Sequence, residues 1–248
     1  MTAAALMRHV PPLLVAAVLF LAAPCTSSAA TATDKAVEAM RKGDYKTALD
    51  DLRPLAAKGD ANAQFLLGML YDSGRGVAQD QAAAASWYRK AAKQNHPPAE
   101  LYLGILLYSG QGVKQDYAEA ARWFRAAAEG GNDEAQFYLG AMYERGAGVK
   151  PDTSEAIRWL TKSAAQRNTR AMGLLATTLF SRSRDQDLVD AYAWSHLAAE
   201  LDPIQATTSA RAVIEKYCNS DQKKRGKAVM AQWKQKWSND AKARGSNR

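Results

Sequence analysis

From Ala63 onward, apolar residues fall into paired segments, and the pair repeats. In the stretch Ala99–Glu134 the first segment carries Leu103, Leu106 and Leu107 at helical spacing. The second carries Ala120, Trp123, Phe124 and Ala127 on one helical stripe, beyond the loop SGQGV. Each pair therefore predicts a helix–turn–helix unit. Ala63, Ala99, Ala135 and Ala171 are spaced by 36 residues, as are Gly68, Gly104 and Gly140, and Trp87, Trp123 and Trp159. A fixed period of this length marks a repeat architecture in which each unit is supported by its neighbours.

The polar and glycine positions refine the unit. A mid-helix glycine costs about 1 kcal/mol relative to alanine. Its recurrence at 68, 104 and 140 predicts a close helix–helix approach. The loop pairs Gly74/Gly76, Gly110/Gly112 and Gly146/Gly148 predict positive φ where the first helix ends. Asp80, Asp116 and Asp152 stand where the second helix starts and are read as N-caps; Glu119 and Glu155, three residues on, predict capping boxes. Trp87, Trp123 and Trp159 are read as core wedges between helices rather than a ligand cage.

The run AQFLLGMLYDSGRGVAQDQAAAASWYRKAA, residues 63–92, and its two successors resemble the Sel1-like repeat family, a relative of the tetratricopeptide repeat. Leu107 departs from the pattern where Tyr71 and Tyr143 stand, and Leu160 follows Trp159 where an aromatic is usual. The resemblance implies an all-α fold: a right-handed α-solenoid of helix–turn–helix Sel1-like repeats, with degenerate N- and C-terminal capping helices. It also implies a role in protein interactions. The units are read as 63–98, 99–134 and 135–170, with a degenerate hairpin over 31–62, a degenerate repeat over 171–202 and basic capping helices and tail over 203–248.

The two ends depart from the period. Arg8 and His9 precede an apolar run from Val10 to Ala23, then small residues, which reads as a secretory signal peptide over 1–30, cleaved after Ala30 or Ala32. The alternatives are an uncleaved anchor and lipid attachment at Cys25. Export places the chain in the periplasm or beyond. In the first hairpin Pro54 is expected to kink the second helix. In the fourth unit Ala176 replaces the glycine, Arg182 and Arg184 replace the loop glycines, and Trp194 follows Trp159 by 35 residues. The formal charge of +8 is a C-terminal property: from Pro203 onward there are 11 Lys/Arg and 3 Asp/Glu, whereas residues 31–202 carry 21 and 22. Val229, Met230, Trp233 and Trp237 form one stripe of a basic helix read over 221–237, with a frayed tail beyond. This segment either caps the last apolar surface or touches an anionic membrane or acidic polysaccharide.

Nothing in the sequence assembles a catalytic constellation, a metal site or a cofactor loop. His96 lies in the turn NHPP, His196 in the helix YAWSHLAA, and the glycine loops follow no strand and precede no GK[ST]. The reading is no enzyme, no cofactor and no nucleic acid. The family resemblance adds one enzymatic alternative, β-lactam binding or hydrolysis, but the repeats lack the cysteines of that branch. Cys218 is expected to be buried. Aligning the mid-helix glycine with the tetratricopeptide pattern places three candidate partner-binding rows on a concave face. These are Phe65, Leu101 and Phe137; Met69, Ile105 and Ala141; and Asp72, Tyr108 and Glu144. The expected function is an exported scaffold that docks another protein there, in envelope regulation or exopolysaccharide machinery.

Overall fold

The computed structural model describes residues 32–203 and 208–245. The segment read as a signal peptide, Cys25 included, lies outside the described residues. Among those described there are helices and no strand, in consecutive pairs. They are α1 (Ala32–Arg41) and α2 (Tyr45–Ala57), α3 (Ala61–Ser73) and α4 (Gln81–Ala92), α5 (Pro97–Ser109) and α6 (Tyr117–Glu129), and α7 (Asp133–Arg145) and α8 (Thr153–Ala165). Then come α9 (Thr169–Arg182) and α10 (Asp185–Leu201), followed by α11 (Thr208–Tyr217) and α12 (Ser220–Gly245). From α1 to α10 each helix packs on its chain neighbours, and α12 packs on α10. The first helices α7 and α9 also touch each other, so first and second helices form two layers. Pro54 sits inside α2, which runs past it to Ala57.

Every repeat helix from α2 to α9 starts on a side-chain cap. Asp44, Asp80, Asp116 and Asp152 cap the second helices. Asp60, His96, Asn132 and Asn168 cap the first ones, each accepting from the amide three residues on. A cap of this kind contributes about 1 kcal/mol. The capping-box expectation is corrected. Glu119 turns away from the cap to bind Arg89 and the indole N–H of Trp123, and Glu155 binds Arg158 and the indole N–H of Trp159. The cap amides that a capping box would use are already taken: Asp116 N–H donates to Leu107 O and Asp152 N–H to Tyr143 O.

The mid-helix glycines let a ring in. A Cβ on Gly68 would lie 2.7 Å from the Tyr88 ring, and one on Gly104 2.7 Å from the Phe124 ring; Gly140 faces Leu160 in the same way. The deepest wedge is therefore the residue after the tryptophan: Tyr88, Phe124 and Leu160 are fully buried. Of the three repeat tryptophans only Trp159 is buried, while Trp87 and Trp123 are half-buried and the Lys90 ammonium lies 3.7 Å from the Trp87 ring centre. The indole N–H of Trp123 and of Trp159 donates to the glutamate one turn back, Glu119 or Glu155, while Trp87 has Ala83 at that place.

The paired loop glycines divide their work, which corrects the reading of both as helix ends. Gly74, Gly110 and Gly146 are the left-handed C-caps of α3, α5 and α7. Gly76, Gly112 and Gly148 stand two residues beyond those caps, on the exposed surface, and also have positive φ. Their hydrogen atoms face the preceding hairpin. A Cβ on Gly76 would lie 2.7 Å from Tyr45 Cβ, one on Gly112 2.3 Å from the Gln81 carbonyl carbon, and one on Gly148 2.3 Å from the Tyr117 carbonyl. The second glycine of each pair thus joins units rather than ending a helix. It carries the tighter constraint because the neighbour at Gly112 and Gly148 is backbone, which cannot rotate away.

A glutamine pair joins successive hairpins. Gln64 donates to Ala56 O and accepts from Gln94, which also donates to Gly59 O. Gln136, Gln166, Ala128 and Gly131 repeat this 72 residues later. Between them the same two register positions hold Glu100 and Gly130. Glu100 is only 4% exposed, and burial raises its carboxyl above the usual range.

The end of the array is built differently. Ser183 takes the left-handed cap of α9, with φ +55°, where glycine stands in the other units. Ala176 stands at the register position of the mid-helix glycine, and Ser195, one after Trp194, stands where Tyr88, Phe124 and Leu160 follow their tryptophans; both are buried. The helix α12 closes the array. The Trp233 ring packs tilted against Trp194 with centroids 4.9 Å apart, the Trp237 indole donates to Ala165 O at 2.7 Å, and Met230 is buried. Gly226 lets α12 approach the Tyr192 ring, and Arg225 pairs with Asp185. The helix continues through the stretch read as a frayed tail, to Gly245. Cys218 is buried, just beyond the end of α11.

Candidate partner-binding face

The layer of first helices presents five rows of equivalent positions, each advancing by 36 residues. The row Phe65, Leu101 and Phe137 is core: 2%, 8% and 4% exposed. Phe65 packs against Tyr88, His96 and Tyr102, which leaves it no free face. In the second row Met69 and Ile105 are half-buried and Ala141 is buried. In the third, Asp72 and Tyr108 are half-buried and Glu144 is exposed.

Sequence reasoning missed the row one residue after the first. Leu66, Tyr102, Tyr138 and Leu174 occupy it, and the last three reach the surface. Tyr102 stacks on Tyr88, and Tyr138 lies flat on Phe124 with centroids 4.8 Å apart. Each tyrosine thus continues the wedge of the preceding hairpin out to the open side. Tyr108 touches both Tyr117 and Tyr138. The recurrence of tyrosine at 102 and 138 was visible. Its exposure was not, because the segment PPAELYLGILLYS is apolar on nearly every side.

A further row, Asn62, Pro98, Glu134 and Arg170, borders the tyrosines. The Arg170 guanidinium pairs with Glu134 and lies 4.2 Å from the Phe137 ring centre and 5.3 Å from that of Tyr138. Burial raises the Asp72 carboxyl, against nearby Gln81 and Tyr88, and burial also raises the Tyr102 and Tyr138 phenols. At physiological pH the strip is therefore neutral phenols between carboxylates. His96, in the turn NHPP, caps α5: its Nδ1 accepts from the Ala99 amide at 3.2 Å while Nε2 meets Asn62 Oδ1 at 3.1 Å. Nδ1 can accept only in the neutral ring, and burial lowers the pKa accordingly. No group of three or more His, Cys, Asp or Glu suited to a metal ion gathers among the described residues.

Stacked hairpins with a continuous side-chain strip along one layer define a helical-repeat interaction scaffold. The chain belongs to the Sel1 repeat family: that repeat matches residues 61–96, 97–132, 133–168 and 170–203. The matched units begin one or two residues ahead of the boundaries read from the sequence. Sel1 repeat proteins act as protein–protein interaction scaffolds. Among solved structures, the chain is similar to a protective antigen of uropathogenic Escherichia coli strains that displays an SLR fold, with 33% identity and a TM-score of 0.71 over 82% of this chain. It spans 44% of that antigen's length. It is also similar to a Sel1 repeat protein from Oxalobacter formigenes, at 25% identity and TM-score 0.69, over 82% of this chain and 83% of that one. A comparison with curated proteins gave no match.

Proposed function

We propose that this chain is an exported adaptor that docks a segment of another protein on the face formed by α3, α5 and α7. The observation that carries the reading is the strip of Met69, Ile105, Tyr102, Tyr108 and Tyr138. All five are large side chains that are half-buried, and ring contacts within the chain anchor the three tyrosines. Anchored aromatic rings lose little entropy on binding, which suits them to recognition. Export is supported by the apolar run Val10–Ala23 and the small residues after it. An envelope or secreted partner follows from that location.

Site-specific photocrosslinking in the source cell tests it. A photoreactive side chain at Ile105 is expected to trap a discrete protein, whereas one at Arg122, exposed on α6 in the other layer, traps none. Equal products from both positions would remove the face from consideration. The same sample checks export: the mature N-terminus is expected at Thr31 or Thr33, and a chain that retains Met1 would contradict cleavage.

A further inference from the structure

Two joints between successive units carry the same arginine and glutamate but use them differently. At the first, the Arg89 guanidinium of α4 reaches across to Glu119 of α6, 3.0 Å away. At the next, Arg125 of α6 and Glu155 of α8 hold the same register positions, 36 residues on, and no ion pair joins them. Arg125 donates instead to the Tyr143 hydroxyl, where the preceding unit has Leu107 and so no acceptor. Glu155 accepts from Arg158 and from the Trp159 indole, both on its own helix. A cleft of about 530 Å³ stands between the two, walled by Val149, Lys150 and Pro151 of the loop that joins α7 to α8. Pro151 also removes a tie. Gln79 and Gln115 at that register each donate back to the end of the first helix at 2.8 Å, which proline cannot do.

The charge left over in the cleft is positive. Glu155 is matched by Arg158, and Asp152 accepts from the Ser154 and Glu155 amides as the cap of α8. Arg125 is half-buried and has no carboxylate, only the Tyr143 hydroxyl and ring; Lys150, exposed at the rim, pairs with no acid among the described residues. A guanidinium drawn partly out of water without a carboxylate has lost solvation that a bound anion restores. We infer that this cleft binds a carboxylate. The fork of Arg125 takes its two oxygens, Lys150 adds a second positive charge, and Val149 and Pro151 offer an apolar wall to the body of the ligand. The chain shows the same chemistry at the same register, where Arg89 holds the carboxylate of Glu119. A free organic acid and the C-terminus of a peptide both present a carboxylate on an apolar body. None of the residues of the docking strip lines this cleft, so the two sites are tested separately.

The test is an NMR titration of the isotope-labelled full chain with N-acetylleucine and with its uncharged twin, N-acetylleucinamide. The acid is expected to shift the amides of Val149, Lys150 and Asp152 and the Arg125 Nε–H at millimolar concentration, and the amide to leave them in place. Arg125→Gln should weaken binding about tenfold, the worth of one charge-assisted contact. Lys150→Gln, in an exposed loop, should weaken it about threefold, as suits a charge at the rim. Arg122→Gln, an equal charge change on exposed α6, should leave it intact; circular dichroism confirms that the variants fold. An acetylated tripeptide ending in leucine separates the sources. Tighter binding than that of N-acetylleucine assigns a peptide terminus; equal or weaker binding assigns a free acid. The assignment is wrong if the acid shifts nothing there, or if N-acetylleucinamide or inorganic sulfate shifts the same resonances as strongly. It is equally wrong if Arg125→Gln and Lys150→Gln bind the acid like the native chain.

Discussion

The periodic centre, α3 to α8, and the closing end, α9 to α12, solve the same packing problem by different means. In the centre a glycine admits a large side chain from the partner helix, a ring at Tyr88 and Phe124 and a leucine at Leu160, and a second glycine admits the preceding unit. At the end serine follows Trp194 where the centre has a large side chain, alanine replaces glycine, and serine takes the left-handed cap. The neighbour is no longer a repeat but α12, which brings tryptophans and its own Gly226 against α10. A solenoid thus needs strict residue identities only where identical units meet. Where the array stops, any helix that covers the last apolar face suffices, and charge on its far side keeps it soluble.

The sharpest contrast is between two left-handed loop positions. Gly112→Ala forces a Cβ into the Gln81 backbone at positive φ and should cost about 3–4 kcal/mol, from strain and overpacking together. Ser183→Gly should instead gain about 1 kcal/mol, because a serine pays for αL and a glycine does not. Urea denaturation of both variants checks the pair; similar effects would erase the distinction between the regions. Next in size, Trp233→Ala removes a partly buried ring from the cap and should cost about 2–3 kcal/mol. Hydrogen exchange should then show α9 and α10 opening before α3 to α6, since each unit depends on its neighbours.

A third substitution works inside the centre. Glu100→Gln restores the donor that Gln64 and Gln136 use toward the preceding hairpin, and should gain about 1 kcal/mol at pH 7. Burial raises the folded-state carboxyl above its ordinary 4.5, so the native chain loses stability as pH rises from that value through the raised one. The gain should shrink toward pH 4, where Glu100 is protonated in the folded state and increasingly so in the unfolded one; a gain independent of pH would refute this account. The smallest effect belongs to His96→Asn, which installs the cap found at Asn132 and Asn168. Burial holds His96 below 6.5, so its cap is fully present above that pH and is lost as pH falls through the lowered folded value. The variant should be near neutral at pH 7.5 and more stable than the native chain by up to about 1 kcal/mol in acid, as thermal melts at the two pH values would show.

The residues legible from sequence were those fixed by backbone geometry. Gly104 and the positive φ of Gly110 and Gly112 could be read because close approach and the left-handed region admit few alternatives. Asp116 and Asp152 were legible as caps for a similar reason. What Gly76, Gly112 and Gly148 touch was not, because the contact lies in the preceding hairpin, about 30 residues back. The destination of Glu119 was hidden in the same way, since its arginine also comes from the preceding unit, 30 residues away. The exposure of the candidate face was half legible. Ile105 and Tyr108 reach the surface as the register placed them, but Phe65 and Phe137 are core, and Tyr102 and Tyr138 stand one position away from the row chosen. In helices buried on nearly all sides the hydrophobic pattern does not reveal which side is open. The full length of α12 was hidden because lysines interrupt its apolar stripe and the last turns, from Ser238 on, carry no large apolar residue.

The proposed docking on the centre rather than on the closing end is tested most directly by hydrogen exchange of the full chain, free and with the protein trapped by the crosslinker at Ile105. Added protection over α3, α5 and α7, with α12 unchanged, is the predicted result. Protection that appears on α12 and spares α3 and α5 would contradict it, and would make the basic end the contact surface.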